Sequence, residues 1–523
     1  MNYIKLYKRT LLTLSSTVVL ILSCSKDLNK VNESYPTLDS YFKNSTELAK
    51  GVAAIYSQMR GGALVSREWF FVQDLRSDDV ASGGGQLEVP RNQMLNGATS
   101  ADNALVGNVW NGLYSIVHRA NTVILAAPDV TDNTSIRDRS VGEAKFLRAW
   151  AYFDLAVLWG AVPMYTTPVV SAVDFQARGT VDAAYTLIVS DLQAAVAALP
   201  ASYSGVDIGR ITKGGANALL GRVLMQKGDY AAAKTALLEV VNSGQYEINS
   251  VPYQNNFLEE TEFNKESIFE VIYVENLNNS FNWGYQGDGG NNQSQGTTRN
   301  QEYSPIAWRN LIPSNKFLNE FETLAAGATK TDPRFAMSVY QTGDTYNNGA
   351  SVITDADQNG NSSVVNGVTQ KISWRKFMLN YKKPKGDFAG GGNNQRILRY
   401  ADVLLMLAEC EAEAGSLPAA VGYLNQVRAR PGVAMPLYPT AKFPTATKND
   451  VLKAVMHERT VELGDEEVRN RDILRWRKKG YFPSIVPEPI SYFRANHDEL
   501  LPIPQQEISN NPKIPQSAQN PGY

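Results

Sequence analysis

Residues 104–127, "ALVGNVWNGLYSIVHRANTVILAA", leave this chain little choice of fold. Trp110, Tyr114, Val117, Asn121 and Ile124 step by 4, 3, 4 and 3, while Val109, Leu113, Ile116, Ala120 and Val123 form a second stripe beside the first. Two adjacent apolar stripes predict a helix covered on most of its sides. Phe146, Trp150, Phe153 and Val157 repeat the pattern in "GEAKFLRAWAYFDLAVLWG", and Gly160 followed by Pro163 predicts its end.

Two further stretches predict helical hairpins. Residues 214–248 hold two small-residue helices separated by "KGDY", and residues 399–430 hold a second such pair. Alanines on facing positions let helices approach closely, a pattern similar to tetratricopeptide hairpins. No fixed period connects the two pairs, so a regular solenoid is not expected. Long insertions lie between roughly 60 and 103 and between about 246 and 395, with β-like runs such as "ESIFEVIYV" and "KISWRKFMLNY" inside the second. The expected fold class is mainly α: a helical scaffold with tetratricopeptide-like hairpins, long irregular loops displayed on one side and a few short β-strands.

Within the second insertion, residues 279–296 set Phe281, Trp283 and Tyr285 among Asn, Gln, Gly and Ser. That composition breaks helix and strand periodicity, so the segment reads as a surface loop, and large aromatics in a surface loop suggest a binding face. Trp110 and Trp374 fall inside regular patterns and are expected in the core.

Lys and Arg number 50 against 52 Asp and Glu, a formal charge of −2 with no basic block. Nucleic acid is therefore not an expected partner. At the N-terminus Lys5, Lys8 and Arg9 precede an apolar run from Leu11 to Leu22, about half of what a membrane span needs, so residues 1–23 read as an export signal. "ILSC" resembles a bacterial lipobox, which implies cleavage before Cys24, lipidation of its thiol and a membrane anchor. The other cysteine, Cys410, then has no disulfide partner and is expected as a small buried hydrophobe.

Catalytic signatures are sparse. His457 opens "HERTVELGDEE", but Val461 stands where a zinc helix needs its second histidine, so a surface helix with Glu and Arg pairs is expected. No G-x-S-x-G, P-loop or dinucleotide fingerprint occurs, and the glycine triplets at 83–85 and 390–392 are expected as flexible loop. Asp355, Asp357, Asn359 and Gly360 fit the first half of a calcium loop, but its closing position is Asn366 instead of a bidentate Glu. Apart from that calcium candidate, no metal or cofactor is expected. Asp78 and Asp79 are adjacent in sequence and cannot flank a scissile bond by themselves, so Arg76 and Asp79 are expected as fixed polar groups at the mouth of the first loop.

"RILRYADVLLMLAECEAEAG" (396–415), "LNQVRARPGV" (424–433), "HERTVELGDEEVRNRDILRWRK" (457–478) and "ELLPIPQQEISNNP" (499–512) follow in an order that resembles the SusD/RagB family. The N-terminal helices and the lipobox fit as well. Pro431 and His457 are small departures. The resemblance implies a surface-exposed outer-membrane lipoprotein, not an enzyme, that binds oligosaccharide, or peptide in some members, as a lid on a SusC-type TonB-dependent transporter. "CSKD" also resembles the surface-export signal of such lipoproteins, with Leu28 where a second acidic residue is usual. It implies a signal peptide at 1–23, an N-terminal helical region at 24–245 and a RagB/SusD region at 246–523, packed as one body. Arg459, Glu462, Glu466, Arg469, Asp472 and Arg475 are spaced for pairs within the motif's own helices, so the motif is expected to fix a helix pair.

A sugar ring needs a flat apolar platform with donors and acceptors at its edge. Trp283, Tyr285, Tyr303 and Trp308 are the expected platform, and Asp79, Gln86, Arg91, Asn92 and Asn96 of the first loop the expected rim. The competing readings are a peptide-binding lid, a surface glycoside hydrolase and a protein that only docks a partner.

Overall fold

Helices that cap themselves and bury one neighbour after another form the scaffold of the computed structural model, which describes residues 41–275, 295–323, 332–386 and 390–523. Residues 44–523 cluster as one unit. Its elements, in chain order, are α1 (Ser45–Met59), α2 (Glu68–Leu75), β1 (Val80–Ser82), α3 (Val89–Leu95), α4 (Ala104–Ala126), α5 (Thr134–Trp159), α6 (Val181–Ala198), α7 (Lys213–Lys227) and α8 (Tyr230–Asn242). Side chains of Asn44, Asn103, Asn133, Thr180, Thr212 and Asp229 each accept a hydrogen bond from a first-turn amide, which satisfies donors that a helix start leaves open.

The second half runs β2 (Ser267–Val271), α9 (Arg299–Tyr303), β3 (Leu311–Pro313), α10 (Asn315–Glu320), α11 (Arg334–Ser338), β4 (Val339–Gln341), β5 (Thr345–Tyr346), β6 (Ser351–Val352), β7 (Ser363–Val365), β8 (Val368–Gln370), β9 (Ile372–Trp374) and β10 (Gln395–Arg399). It closes with α12 (Tyr400–Ala414), α13 (Leu417–Arg428), α14 (Lys448–Leu463), α15 (Arg469–Lys478) and α16 (Gln505–Asn510). Among the described residues the named strands pair as antiparallel two-stranded ribbons: β1 with β3, β2 with β10, β4 with β9, β5 with β6 and β7 with β8.

Both predicted hairpins form, as α7–α8 and α12–α13. Gly221 of α7 faces Leu237 of α8 so closely that a Cβ there would stand 2.5 Å from the leucine side chain. The sequence shows no period joining the hairpins, yet α8 packs directly on α12. The stack continues because the intervening insertion leaves after β2 and returns at β10, and those two strands pair at its neck.

Two expectations need correction. The first insertion is not loop throughout, because Leu64, Val65, Trp69, Phe70, Phe71, Val72 and Leu75 are core residues and α2 is buried along its whole length. Helix α14 is not a surface helix either: His457 is 2% exposed, stacked on Phe443 with Nδ1 at 2.5 Å from Glu320. Its charges pair across the fold and not along the helix. Glu462 accepts from Arg334, Arg399 and Arg430 at 3.0, 2.8 and 2.7 Å, and Glu458 from Arg334 and Arg428 at 2.6 and 3.0 Å. Arg459 bridges Asp402 and Asp472, and Arg475 reaches Glu409; only Arg475–Asp472 is a pair of the expected i,i+3 kind. Trp110, Trp374 and Cys410 are buried, as their patterns predict.

Candidate functional site

Three loops distant in sequence meet at the end of the β1–β3 ribbon. Gly83 donates to the Asn310 carbonyl, and Asn361 donates to the Gly83 carbonyl at 2.7 Å. The approach is so close that a Cβ on Gly83 would lie 1.7 Å from the Arg309 carbonyl oxygen, and one on Gly360 1.9 Å from that of Gly83. The first glycine triplet is therefore a packed joint at Gly83, not flexible loop.

Arg309 locks this joint. Its backbone is left-handed, with φ at 53°, a region uncommon for residues with a side chain. Its buried guanidinium donates to the carbonyls of Asn359, Asn361 and Ile372 and to the Ser373 hydroxyl at 2.6, 2.9, 2.8 and 2.7 Å. All four acceptors are neutral, and burial pushes its pKa down to about 10.

Trp308, the residue before, is 42% exposed. The exposed Gln86 crosses from the first loop and donates to the carbonyls of Trp308 and Arg309 at 3.2 and 3.0 Å. Predicted platform and predicted rim thus meet at one pair. An indole on a fixed backbone beside an amide can stack on a C–H face and hydrogen-bond its edge.

The remaining candidates do other work. Tyr303 is fully buried, edge-on to Phe70 and Phe71, and donates to Asp74 at 2.8 Å, so it is core and no platform. Arg91 is 2% exposed; it pairs with Glu68 at 2.9 Å and with Glu88, over the Phe71 ring. With Arg67, which binds Glu302 at 2.6 Å and Glu88 at 2.8 Å, it ties α3 to α2 and α9. Arg91 is therefore a brace under the loop and not a ligand contact. Asn92 on α3 and Asn96 just after it are exposed, the Asn96 side-chain amide donating to the Asn92 side-chain oxygen at 2.8 Å.

Asp79 is 3% exposed and stands 3.8 Å from Arg469, so it is no rim group. Asp78 takes both arms of that guanidinium, at 2.6 and 2.9 Å, plus Lys316 at 2.5 Å, and these cations outweigh burial to hold its carboxyl well below the usual range. Burial and the neighbouring Asp78 push Asp79 up to about 7. Both acids are buried against these cations, a structural and not a cleft-flanking placement.

The calcium-like run is a turn. Asp357 accepts from Thr354 and pairs with Lys385 at 2.8 Å, Asp355 accepts from Thr342, and the Asn359 carbonyl serves Arg309. Among the described residues no group of three His, Cys, Asp or Glu side chains is placed to hold a metal. Phe281, Trp283, Tyr285 and Cys24 lie outside the described residues. Arg309 and Gly360 carry no sequence signal of this joint: the Gly in "QNGN" fits a metal-loop pattern, yet it marks a close backbone approach.

Comparison with known proteins agrees with this architecture. A SusD-family profile matches residues 265–523, and a second, described as starch-binding associating with outer membrane, matches residues 32–225. The chain belongs to the SusD/RagB family. Two SusD-like proteins of Formosa agariphila resemble this family member over nearly their whole lengths: one is 25% identical, covering 96% of this chain and 97% of its own, the other 27% identical, covering 99% and 100%. A solved laminarin-binding SusD-like protein is 27% identical with a TM-score of 0.73, covering 92% of this chain and 100% of its own. A SusD-like carbohydrate-binding protein of Bacteroides fragilis shares the fold, with a TM-score of 0.76 at 22% identity over 91% and 100%. The SusD/RagB family is outer-membrane associated and its glycan-binding proteins are non-catalytic.

Proposed function

We propose that this SusD/RagB protein captures oligosaccharide at the cell surface and delivers it to a SusC-type TonB-dependent outer-membrane transporter, held to the membrane by a lipid on Cys24. The observation that carries the binding half is Trp308, an exposed indole on a backbone fixed by Gln86 and Arg309. Laminarin binding in one relative and a laminarihexaose complex in another of the same fold support a glucan-type ligand. Trp283, Tyr285, Asn92 and Asn96 are proposed as further ligand contacts.

The test is calorimetry of the chain from Ser25 onward against purified oligosaccharides, laminarihexaose included, with Trp308→Ala and a Trp283→Ala, Trp308→Ala double variant. Binding without cleavage that weakens about tenfold or more in Trp308→Ala, a loss of about 1.4 kcal/mol, is the expected result. No saccharide binding, with binding of peptides instead, overturns it in favour of a peptide lid. Co-purification of a large β-barrel with the lipidated chain tests the transporter half.

A further inference from the structure

We infer that the protein has a second saccharide site, in a cleft of about 470 Å³ between α4, the segment 165–175 and α16. It shares no lining residue with the Trp308 joint and stands on its own geometry. Tyr114 and Tyr165 form a corner there, their rings 5.8 Å apart at 76°, and Phe175 adds a third aromatic wall. The Tyr114 hydroxyl is committed to the Pro163 carbonyl at 2.8 Å, so its ring offers the cleft an apolar face.

At the cleft's floor lies Gln58, which is 6% exposed and whose side-chain amide makes no hydrogen bond among the described residues. The amide nitrogen and oxygen open onto the cleft, where a hydroxyl-bearing ligand can accept from one and donate to the other. Ser115 and His118 stand at the rim, where partial desolvation and the neighbouring Arg119 lower the imidazole's pKa. Arg119 and Glu507 contribute one charge of each sign, so the cleft favours a neutral ligand.

The wall is fixed before any ligand arrives. Asn121 donates to the carbonyls of Tyr165 and Thr167 at 3.0 and 3.1 Å and is itself held by Arg148, which is paired with Asp191. A rigid aromatic corner with an amide at its floor and room for more than one sugar ring is the chemistry of a neutral saccharide.

Saturation-transfer NMR on the chain from Ser25 onward, with glucose, galactose, mannose and xylose as probes, tests this. The expected result is a transfer signal from at least one sugar that persists in Trp308→Ala but falls about five-fold in Gln58→Leu and Tyr165→Ala. Ser115→Trp, which fills the cleft from its α4 wall and leaves the buried amide alone, is expected to abolish that signal even where Gln58→Leu fails to fold. Absence of any sugar signal, or a signal that Tyr165→Ala and Ser115→Trp both retain, overturns the proposal. A signal lost only in Trp308→Ala overturns it too, while supporting the loop site.

Discussion

Asp79 shows how far a single carboxyl departs from what its neighbours in sequence suggest. Its ordinary pKa near 3.8 is pushed up to about 7 by burial and by Asp78. Below about pH 4 folded and unfolded chains both hold the proton; between there and about 7 only the folded chain keeps it, so native stability falls as pH rises through that window. Asp79→Asn removes this cost, and its melting temperature is expected to gain on wild type from pH 4 to 7, the gap growing by at most about 1.4 kcal/mol per pH unit. At Gly83 the obstacle to a side chain is a carbonyl oxygen, which cannot swing aside. Gly83→Ala is expected to cost about 1–3 kcal/mol in denaturant unfolding and to weaken saccharide binding, whereas Gly85→Ala, with open space around its Cβ position, leaves both unchanged. Sequence marked Trp308 and Gln86 correctly as loop residues of two separate regions, but not their meeting. Tyr303 and Arg91 look in sequence like Trp308 and Gln86; only their tertiary neighbours, Phe70 and Phe71 for one and Glu68 for the other, put them inside.

At the scale of elements, periodicity was enough for the helices. The stripes of 104–127 became α4, the stop at Gly160 ended α5, and the two alanine-rich pairs became α7–α8 and α12–α13. Charge was the misleading signal, because the polar run "HERTVEL" reads as solvated while its carboxylates answer arginines on other elements. Glu462 is the centre of that lattice: burial opposes its charge, but Arg430, Arg399 and Arg334 together hold its carboxyl far below the usual range. Glu462→Gln leaves three guanidinium groups short of a partner in the interior and is expected to lower unfolding stability by about 3–5 kcal/mol. Arg137→Ala, which breaks an exposed pair with Asp138, is expected to cost less than about 1 kcal/mol by the same measurement.

For the molecule as a whole, a helical stack supplies rigidity, and the first loop and the insertion between β2 and β10 supply the candidate binding residues. The separation of periodic helices from long Gly- and Asn-rich insertions was legible in the sequence. What the sequence left hidden is that the insertion comes back to pack against the first loop, because Gly83, Arg309 and Asn361 carry no mutual signal in one dimension. The joint also bears on how such a protein is re-targeted to a new sugar. A loop grafted from a relative with another preference would bring only one part of a three-part fastening, and its Gly83-like carbonyl would meet the wrong partner. Side chains on the outer surface of these loops can be exchanged one at a time; their lengths and glycines have to travel as a set.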